Sequence, residues 1–181
     1  PLGAVSPETV QSLFFYYSPD RIHRAIPDAW SLATPNEILA ARFRGMDQAL
    51  RRELGSLFDS QEVSIAVELT QEAIAATSGT GRTLYSGWNS LPWPDEPHLA
   101  LWQACTVLRE HRSGSHLLAL ATEELDGPQS VITQVAVNEA PVDWIQHEAG
   151  WSDAAVEEAK ELLRARGWLD DADQATSQCY E

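Results

Sequence analysis

Basic residues are scarce in this chain, and lysine is nearly absent. Twelve Lys and Arg face 27 Asp and Glu, a net charge of −15, and Lys160 is the sole lysine. A molecule of that sign repels phosphate as a whole, so any nucleic-acid-binding face has to be local. Cysteine is scarce too. Cys105 and Cys179 can form at most one disulfide, which is no disulfide framework, and a reducing cytoplasmic compartment is expected. No run of 18 apolar residues exists, which excludes an apolar membrane-spanning helix and with it a membrane partner. The first residue is Pro1, and no charged segment followed by an apolar stretch marks a signal peptide. The chain reads as the middle of a longer protein, with the polar end at 174–181 looking cut as well. No glycine-rich phosphate loop, serine elbow or paired-carboxylate motif is found, and Gly79-Thr80-Gly81 alone is no such loop.

What is present is an ordinary globular mixture, with 44% hydrophobic and 22% charged residues over 181 positions. That length can bury one good core or two small ones. The charge is unevenly placed. Residues 1–58 hold six acids and six bases, residues 59–108 six acids and one base, and residues 109–181 fifteen acids and five bases. The acidity therefore concentrates toward the C-terminus.

Helix punctuation is plentiful. Ser6-Pro7, Ser18-Pro19 and Thr34-Pro35 each put a hydroxyl at an N-cap and a proline at the first helical position, where its missing N–H costs nothing. Thr34 and Glu37 form a capping box for a helix that carries Ile38, Leu39, Phe43, Met46, Leu50 and Leu54 and ends at Gly55. Asp59 or Ser60 caps the next helix, with Val63, Val67, Leu69 and Ile74 as its apolar side. Residues 78–97, with three glycines, three prolines and Trp88 and Trp93, read as a packed-down loop. The expected organisation is a helical domain at 1–77, this connector at 78–97, and a second domain at 98–181. In the second half, helices are predicted at 97–112 with Leu101, Ala104, Cys105 and Leu108 on one face, at 115–125 after a Ser113-Gly114 break, from Pro128, at 141–148, and at 153–166 with Val156, Ala159, Leu162 and Leu163 as its apolar face. The segment 130–137 alternates enough to be a strand, but its helical neighbours favour helix. The fold class expected is all-α.

A short helix, a glycine turn at Gly150 and a longer helix capped by Ser152 make a helix-turn-helix pattern. The closing Leu163-Arg164-Ala165-Arg166-Gly167-Trp168-Leu169 resembles the end of the recognition helix in MarR-type winged helices. Asp170 to Asp173 would then be a short acidic wing turn, with Gln174 onward as its far side. A wider resemblance rests on Pro1-Leu2-Gly3-Ala4-Val5, Ile26-Pro27-Asp28-Ala29-Trp30, Leu91 to His98, and Leu108 to Arg112 with Gly114 and His116. Through these blocks the chain resembles an actinobacterial family of largely uncharacterised, helix-turn-helix-labelled proteins. Members of that family look longer at both ends. The resemblance implies a helix-turn-helix fold and no established activity.

The charges weigh against a simple DNA reader. On the exposed side of 153–166, Asp153, Glu157 and Glu161 compete with Lys160 and Arg164, whereas a major-groove reader needs Arg, Lys, Asn or Gln near the start of the helix. Ser152, Asp153, Lys160 and Arg164 are the DNA-contact candidates should that reading hold, and it would require a homodimer. The denser functional-looking cluster is Arg109-Glu110-His111-Arg112 with His116. His98, Trp102 and Arg109 share one helix face, and a helix start near Ser115 would offer free N–H groups to an anion. Stacking is assigned to Trp88, Trp93 and Trp102, and polar anchoring to Arg109, His111 and His116. The expected partner is a small, flat or anionic molecule bound at a junction of the two domains. Glu110, His111 and His116 lack metal-ligand spacing, and no metal or cofactor is expected. Cys105 lies two turns from His98, beyond direct contact, and is expected to be a small core residue, not a nucleophile. An enzyme using His111 or His116 as acid or base has no partner residue in the sequence. The leading expectation is a small-molecule-binding or sensor protein on a winged-helix-like scaffold without autonomous DNA binding, with a DNA-binding regulator as the alternative.

Overall fold

A computed structural model describes residues 1–137, 140–143 and 145–180, with the side chain of Gln146 also outside the description. The protein is all-α. Its helices are α1 (Pro7–Leu13), α2 (Pro19–His23), α3 (Ala29–Leu32), α4 (Pro35–Leu54), α5 (Gln61–Ala75), α6 (Thr83–Asn89), α7 (Pro97–Thr122), α8 (Gly127–Ala136) and α9 (Asp153–Ala165). A single π-helical turn occupies Ile145–Ala149, and short 3-10 turns occupy Gly55–Leu57 and Ser177–Tyr180. Among the described residues the only extended pairing is an isolated antiparallel bridge between Leu169 and Ala175.

The local rules act where the sequence places them. Ser6, Ser18, Thr34, Ser60 and Ser152 each accept a backbone N–H through their hydroxyls at the start of α1, α2, α4, α5 and α9, with the capping box at Thr34 and Glu37 complete. Asp126 and Gln129 form a second capping box, which opens α8. Segment 130–137 is thus helical through Ala136, as its neighbours imply.

Several expectations are corrected. Ser113-Gly114 does not break a helix, because α7 runs unbroken to Thr122. Gly114 serves close approach instead. A Cβ there would meet Arg82 Cγ at 2.8 Å and Arg82 Cβ at 3.0 Å. Arg82 Nε donates to the Ser115 hydroxyl at 3.0 Å, and that hydroxyl donates to the His111 carbonyl at 2.9 Å. Residues 78–97 are not all loop, since α6 lies within them. Leu69 and Leu162, assigned to apolar faces, are exposed. The helix expected over 141–148 is the π-helical turn preceded by a turn at Val142 and Asp143, while Trp144 lies outside the described residues.

The chain divides into two compact units, Pro1–Ala4 with Trp30–Leu118, and Val5–Ala29 with Ala119–Glu181. The division does not fall at residues 78–97, because segment 5–29 packs with the C-terminal region. Trp151 Nε1 donates to the Tyr16 carbonyl at 2.8 Å, Ser18 N donates to the Ala149 carbonyl at 2.8 Å, and Arg21 pairs with Glu148 at 3.3 Å. The core of the first unit includes Ile74, Tyr85, Trp88, Ala104 and Val107. That of the second is built on Val131, Ile132, Ala149, Val156, Ala159, Leu163 and Leu169, with Phe15, Tyr16, Tyr17, Trp151 and Trp168 packed around it.

Candidate functional site

All nine residues predicted to hold a ligand fall within the first unit. Helix α7 carries seven of them, so their placement follows from which side of α7 is buried. The buried side is Gln103, Ala104, Thr106, Val107 and Glu110. Cys105 points away from it and is exposed, which corrects its assignment to the core. Of the apolar stripe expected through Leu101, Ala104, Cys105 and Leu108, Ala104 is buried, but the centre of the buried side lies about 140° around the helix from the centre of that stripe. Buried polar side chains caused that error, and their needs are met locally. Thr106 Oγ1 donates to the Trp102 carbonyl at 2.9 Å, and Gln103 Nε2 donates to the Leu91 carbonyl at 3.4 Å.

The tryptophans do not form an open stacking surface. Trp88 is buried in the core on α6, and Trp102 meets it edge to face at 5.9 Å and 87°. Phe43 from α4 stands edge-on to Trp102 at 5.2 Å. The side chain lying over both indoles is Arg42, with its guanidinium carbon 4.8 Å from the Trp88 ring and 5.2 Å from the Trp102 ring. Partial burial first, and the like charge of Arg109 second, hold the Arg42 guanidinium below its ordinary basicity, while Glu110 acts in the opposite direction. Sequence reasoning missed Arg42. Its spacing from Phe43 and Met46 marks it only as a helix position, and nothing local ties it to Trp88 or Trp102. Trp93 is half-buried against the same cluster.

The polar candidates divide into separate settings. Arg109 Nη2 donates to Glu110 Oε1 at 2.6 Å, and the arginine side chain is 58% exposed while the glutamate is 7% exposed. The His111 ring stands edge-on to Tyr85 at 5.3 Å, and Tyr85 is tied through its hydroxyl to Thr77 Oγ1 at 2.7 Å. Arg112 and His116 are exposed. The anion-binding helix start expected near Ser115 does not exist, because Ser115 lies inside α7 and its neighbouring N–H groups serve the helix itself.

His98 is not poised for a ligand. It is 2% exposed, Nε2 lies 2.6 Å from Asp47 Oδ1, and Phe58 stands edge-on to its ring at 5.4 Å. Nδ1 is buried without a partner among the described residues. A proton on Nε2 serves Asp47 and leaves only a lone pair unpartnered, so this tautomer fits the site. The hydrogen bond to His98 is the largest influence on the Asp47 carboxyl and holds it below its ordinary value. Burial opposes this, and Arg51 at 2.8 Å reinforces it. A carboxyl depressed in the folded state contributes stability above its unfolded pKa of about 4, and that stability is lost as the pH falls through the folded value. Asp47→Asn is accordingly expected to flatten the fall in thermal midpoint on acidification below about pH 4 relative to the native chain, as followed by circular dichroism.

The second site to weigh is the helix-turn-helix pair in the other unit. Ser152 caps α9, whose buried side is Val156, Ala159 and Leu163. After Gly167, at φ +77°, the chain reverses in a hairpin. Asp170 N donates to the Gln174 carbonyl and Thr176 N to the Trp168 carbonyl, each at 3.0 Å. Asp170 Oδ1 accepts from Ala172 N and Gln174 N at 2.9 Å, which shapes the acidic turn. Asp173, at the turn's end, pairs with both cations of α9. Lys160 Nζ lies 3.1 Å from Asp173 Oδ2 and 2.8 Å from Glu157, and Arg164 Nη2 bonds Asp173 Oδ1 directly. Burial works against the Asp173 charge, yet the hydrogen bonds from Lys160 and Arg164 hold its carboxyl below the ordinary value. Arg166 instead lies over Trp168 at 4.7 Å and donates to the Glu123 carbonyl at 2.8 Å.

Among the described residues no group of three metal-ligating side chains gathers, and no helix is long and apolar enough to cross a membrane. No curated protein and no solved structure matches the chain. A helix-turn-helix family model matches residues 1–181. The chain belongs to this helix-turn-helix family.

Proposed function

We propose that the protein is a cytoplasmic small-molecule-binding member of its helix-turn-helix family, on a winged-helix-like scaffold whose α9 does not read DNA unaided. The observation that carries this reading is the closure of Lys160 and Arg164 onto Asp173. These are the two cations of α9 that a phosphate or base edge would need, and the acidic hairpin turn neutralises them within the same unit. Ser152 is occupied as a cap, and Asp153 adds a negative charge at the start of α9. The short hairpin after Gly167 supports the MarR-like comparison in shape, while its acidity opposes phosphate contact. The ligand-binding part of the proposal rests on the exposed Arg42 guanidinium lying over Trp88 and Trp102 in the first unit.

The test is the salt dependence of binding to a random-sequence DNA duplex, followed by fluorescence anisotropy. Weak binding with a log–log slope near zero is expected for the native chain, because the slope is about −0.9 for each phosphate neutralised. Asp173→Asn releases Arg164 and leaves Lys160 on Glu157, so it is expected to steepen the slope toward roughly −0.9. A native slope of about −5 or steeper would refute the reading. The alternative, a DNA-binding transcriptional regulator, is favoured by the family itself. It requires a homodimer and basic contacts from outside α9.

A further inference from the structure

We propose that the outward side of α5 is a docking surface for a basic, amphipathic helix of another protein. The proposal is separate from the small-molecule reading and stands on different residues.

The first support is a short seam on a helix that is already packed. The inward side of α5 carries Val63 and Ile74, both buried, and Val67 and Thr70, half-buried. Glu62, Ile65, Leu69 and Glu72 follow one another at intervals of three, four and three. They therefore share a second side, about 150° around the helix from the first. That spacing is the one by which paired helices interlock. Ile65 is 47% exposed and Leu69 60% exposed, one turn apart at the centre of this side. Leu69, which the core leaves out, belongs to this seam.

The second support is the charge at the ends of the seam. Residues 59–81 hold Asp59, Glu62, Glu68 and Glu72 and no base. Among the described residues, none of Glu62, Glu68 and Glu72 has an ion pair. Glu62 suits the start of α5, where the helix dipole favours an acid. Glu72 lies in the last turn, where the dipole disfavours one, and Glu68 one turn before it adds like-charge repulsion. Nothing within α5 favours the Glu72 charge, whereas a cation on a docked helix would.

These charges select the occupant. A second copy pairing through this face sets Glu62 against Glu62 and Glu72 against Glu72 when parallel, and Glu62 against Glu72 when antiparallel. Self-pairing is thus opposed in both directions. A fitting helix carries two apolar residues four apart, with Lys or Arg three positions outside each. Its bases then stand about 15 Å apart along the axis, the same span as from Glu62 to Glu72. Two apolar side chains make a short seam, so the complex is a transient one.

The experiment is fluorescence anisotropy of the full chain with a labelled synthetic peptide that carries Lys-x-x-Leu-x-x-x-Leu-x-x-Lys in a helical alanine and glutamine background. A peptide of the same composition in scrambled order measures general attraction to an acidic chain. The native chain is expected to bind the ordered peptide about tenfold more tightly than the scrambled one. Ile65→Ser combined with Leu69→Ser removes side chains that are exposed in the native chain. It is expected to lower affinity about tenfold with little change in thermal midpoint. Glu72→Lys is expected to weaken binding of the ordered peptide about threefold, and to strengthen by a similar factor binding of a peptide with one terminal lysine replaced by glutamate. Absence of binding, or equal binding of the ordered and scrambled peptides, overturns the proposal. So does an affinity unchanged by the Ile65 and Leu69 substitutions, or an equal loss from Leu162→Ser, which removes an exposed leucine from the acidic α9. Sedimentation equilibrium closes the remaining alternative. Self-association of the native chain that the Ile65 and Leu69 substitutions abolish would give this face to a second copy and overturn the assignment to a basic partner.

Discussion

Gly127→Ala is expected to destabilise the protein by about 3 kcal/mol or more, the largest loss anticipated from adding one methyl group. Gly127 opens α8 directly after its cap Asp126. A Cβ at this position would collide with the backbone carbonyl oxygen of Phe15 and come within 2.6 Å of Trp151 Cζ2. Neither neighbour can yield cheaply. The Phe15 carbonyl belongs to a backbone stretch fixed on both sides, since Gln11 Nε2 donates to the Phe15 and Tyr17 carbonyls and Trp151 Nε1 donates to that of Tyr16. The indole is locked by the same bond. Gly45→Ala provides the control. Gly45 sits inside α4 with nothing within 4 Å of its would-be Cβ, so the same substitution there is expected to stabilise by roughly 0.5–1 kcal/mol through helix propensity. Thermal midpoints should move in opposite directions, with the Gly127 variant falling by roughly 6–12 °C. A fall of less than about 2 °C would show that α8, Phe15 and Trp151 are not packed as described.

Adjacent leucines on α9 form the second large contrast. Leu163→Ala is expected to cost about 3 kcal/mol, because the side chain is fully buried beside Val156, Ala159 and Leu169 and its removal leaves a cavity. Leu162→Ala is expected to change stability by no more than about 0.5 kcal/mol, since that side chain is 46% exposed. Chemical denaturation of the two variants measures both. The contrast also checks the orientation of α9, and hence the direction in which Lys160 and Arg164 point. Equal costs at the two positions would require the helix to be turned, and the closure of its cations by Asp173 would go with it.

Much of the helical framework was legible in the sequence because it is decided within a few residues. A hydroxyl or carboxylate two or three positions before a free N–H satisfies that N–H whatever the rest of the chain does, so Ser6, Ser18, Thr34 and Ser152 marked true helix starts. The acidic hairpin turn after Gly167 was legible for the same reason, since Asp170 shapes it by bonding its own neighbours. The errors share a different origin. Gly114 looks like a helix breaker on propensity alone, but the approach of Arg82 decides its role. Leu162 looks like part of an apolar stripe, yet it lies about 90° from the centre of the stripe through Val156, Ala159 and Leu163. Cys105 was assigned to the core because apolarity was taken to mark the buried side of α7, whereas that side carries Gln103, Thr106 and Glu110.

The candidate site shows the same limit more sharply. His98, Trp102 and Arg109 were placed together on one helix face, which is a matter of spacing. Their separate fates depended on residues about fifty to sixty positions away. Asp47 took His98, and Arg42 settled on Trp88 and Trp102. The net charge of −15 and its concentration toward the C-terminus are sums over residues and needed no structure. That Asp173 is the acid which pairs with Lys160 and Arg164, and that Arg42 lies over Trp88 and Trp102, are facts of distance. The sequence by itself determined the capped helix starts at Ser6, Ser18, Thr34 and Ser152, which segments are acidic and that the fold is all-α. Tertiary packing alone decided which faces are buried and which charges meet, because Coulomb attraction and van der Waals exclusion act through space and not along the chain.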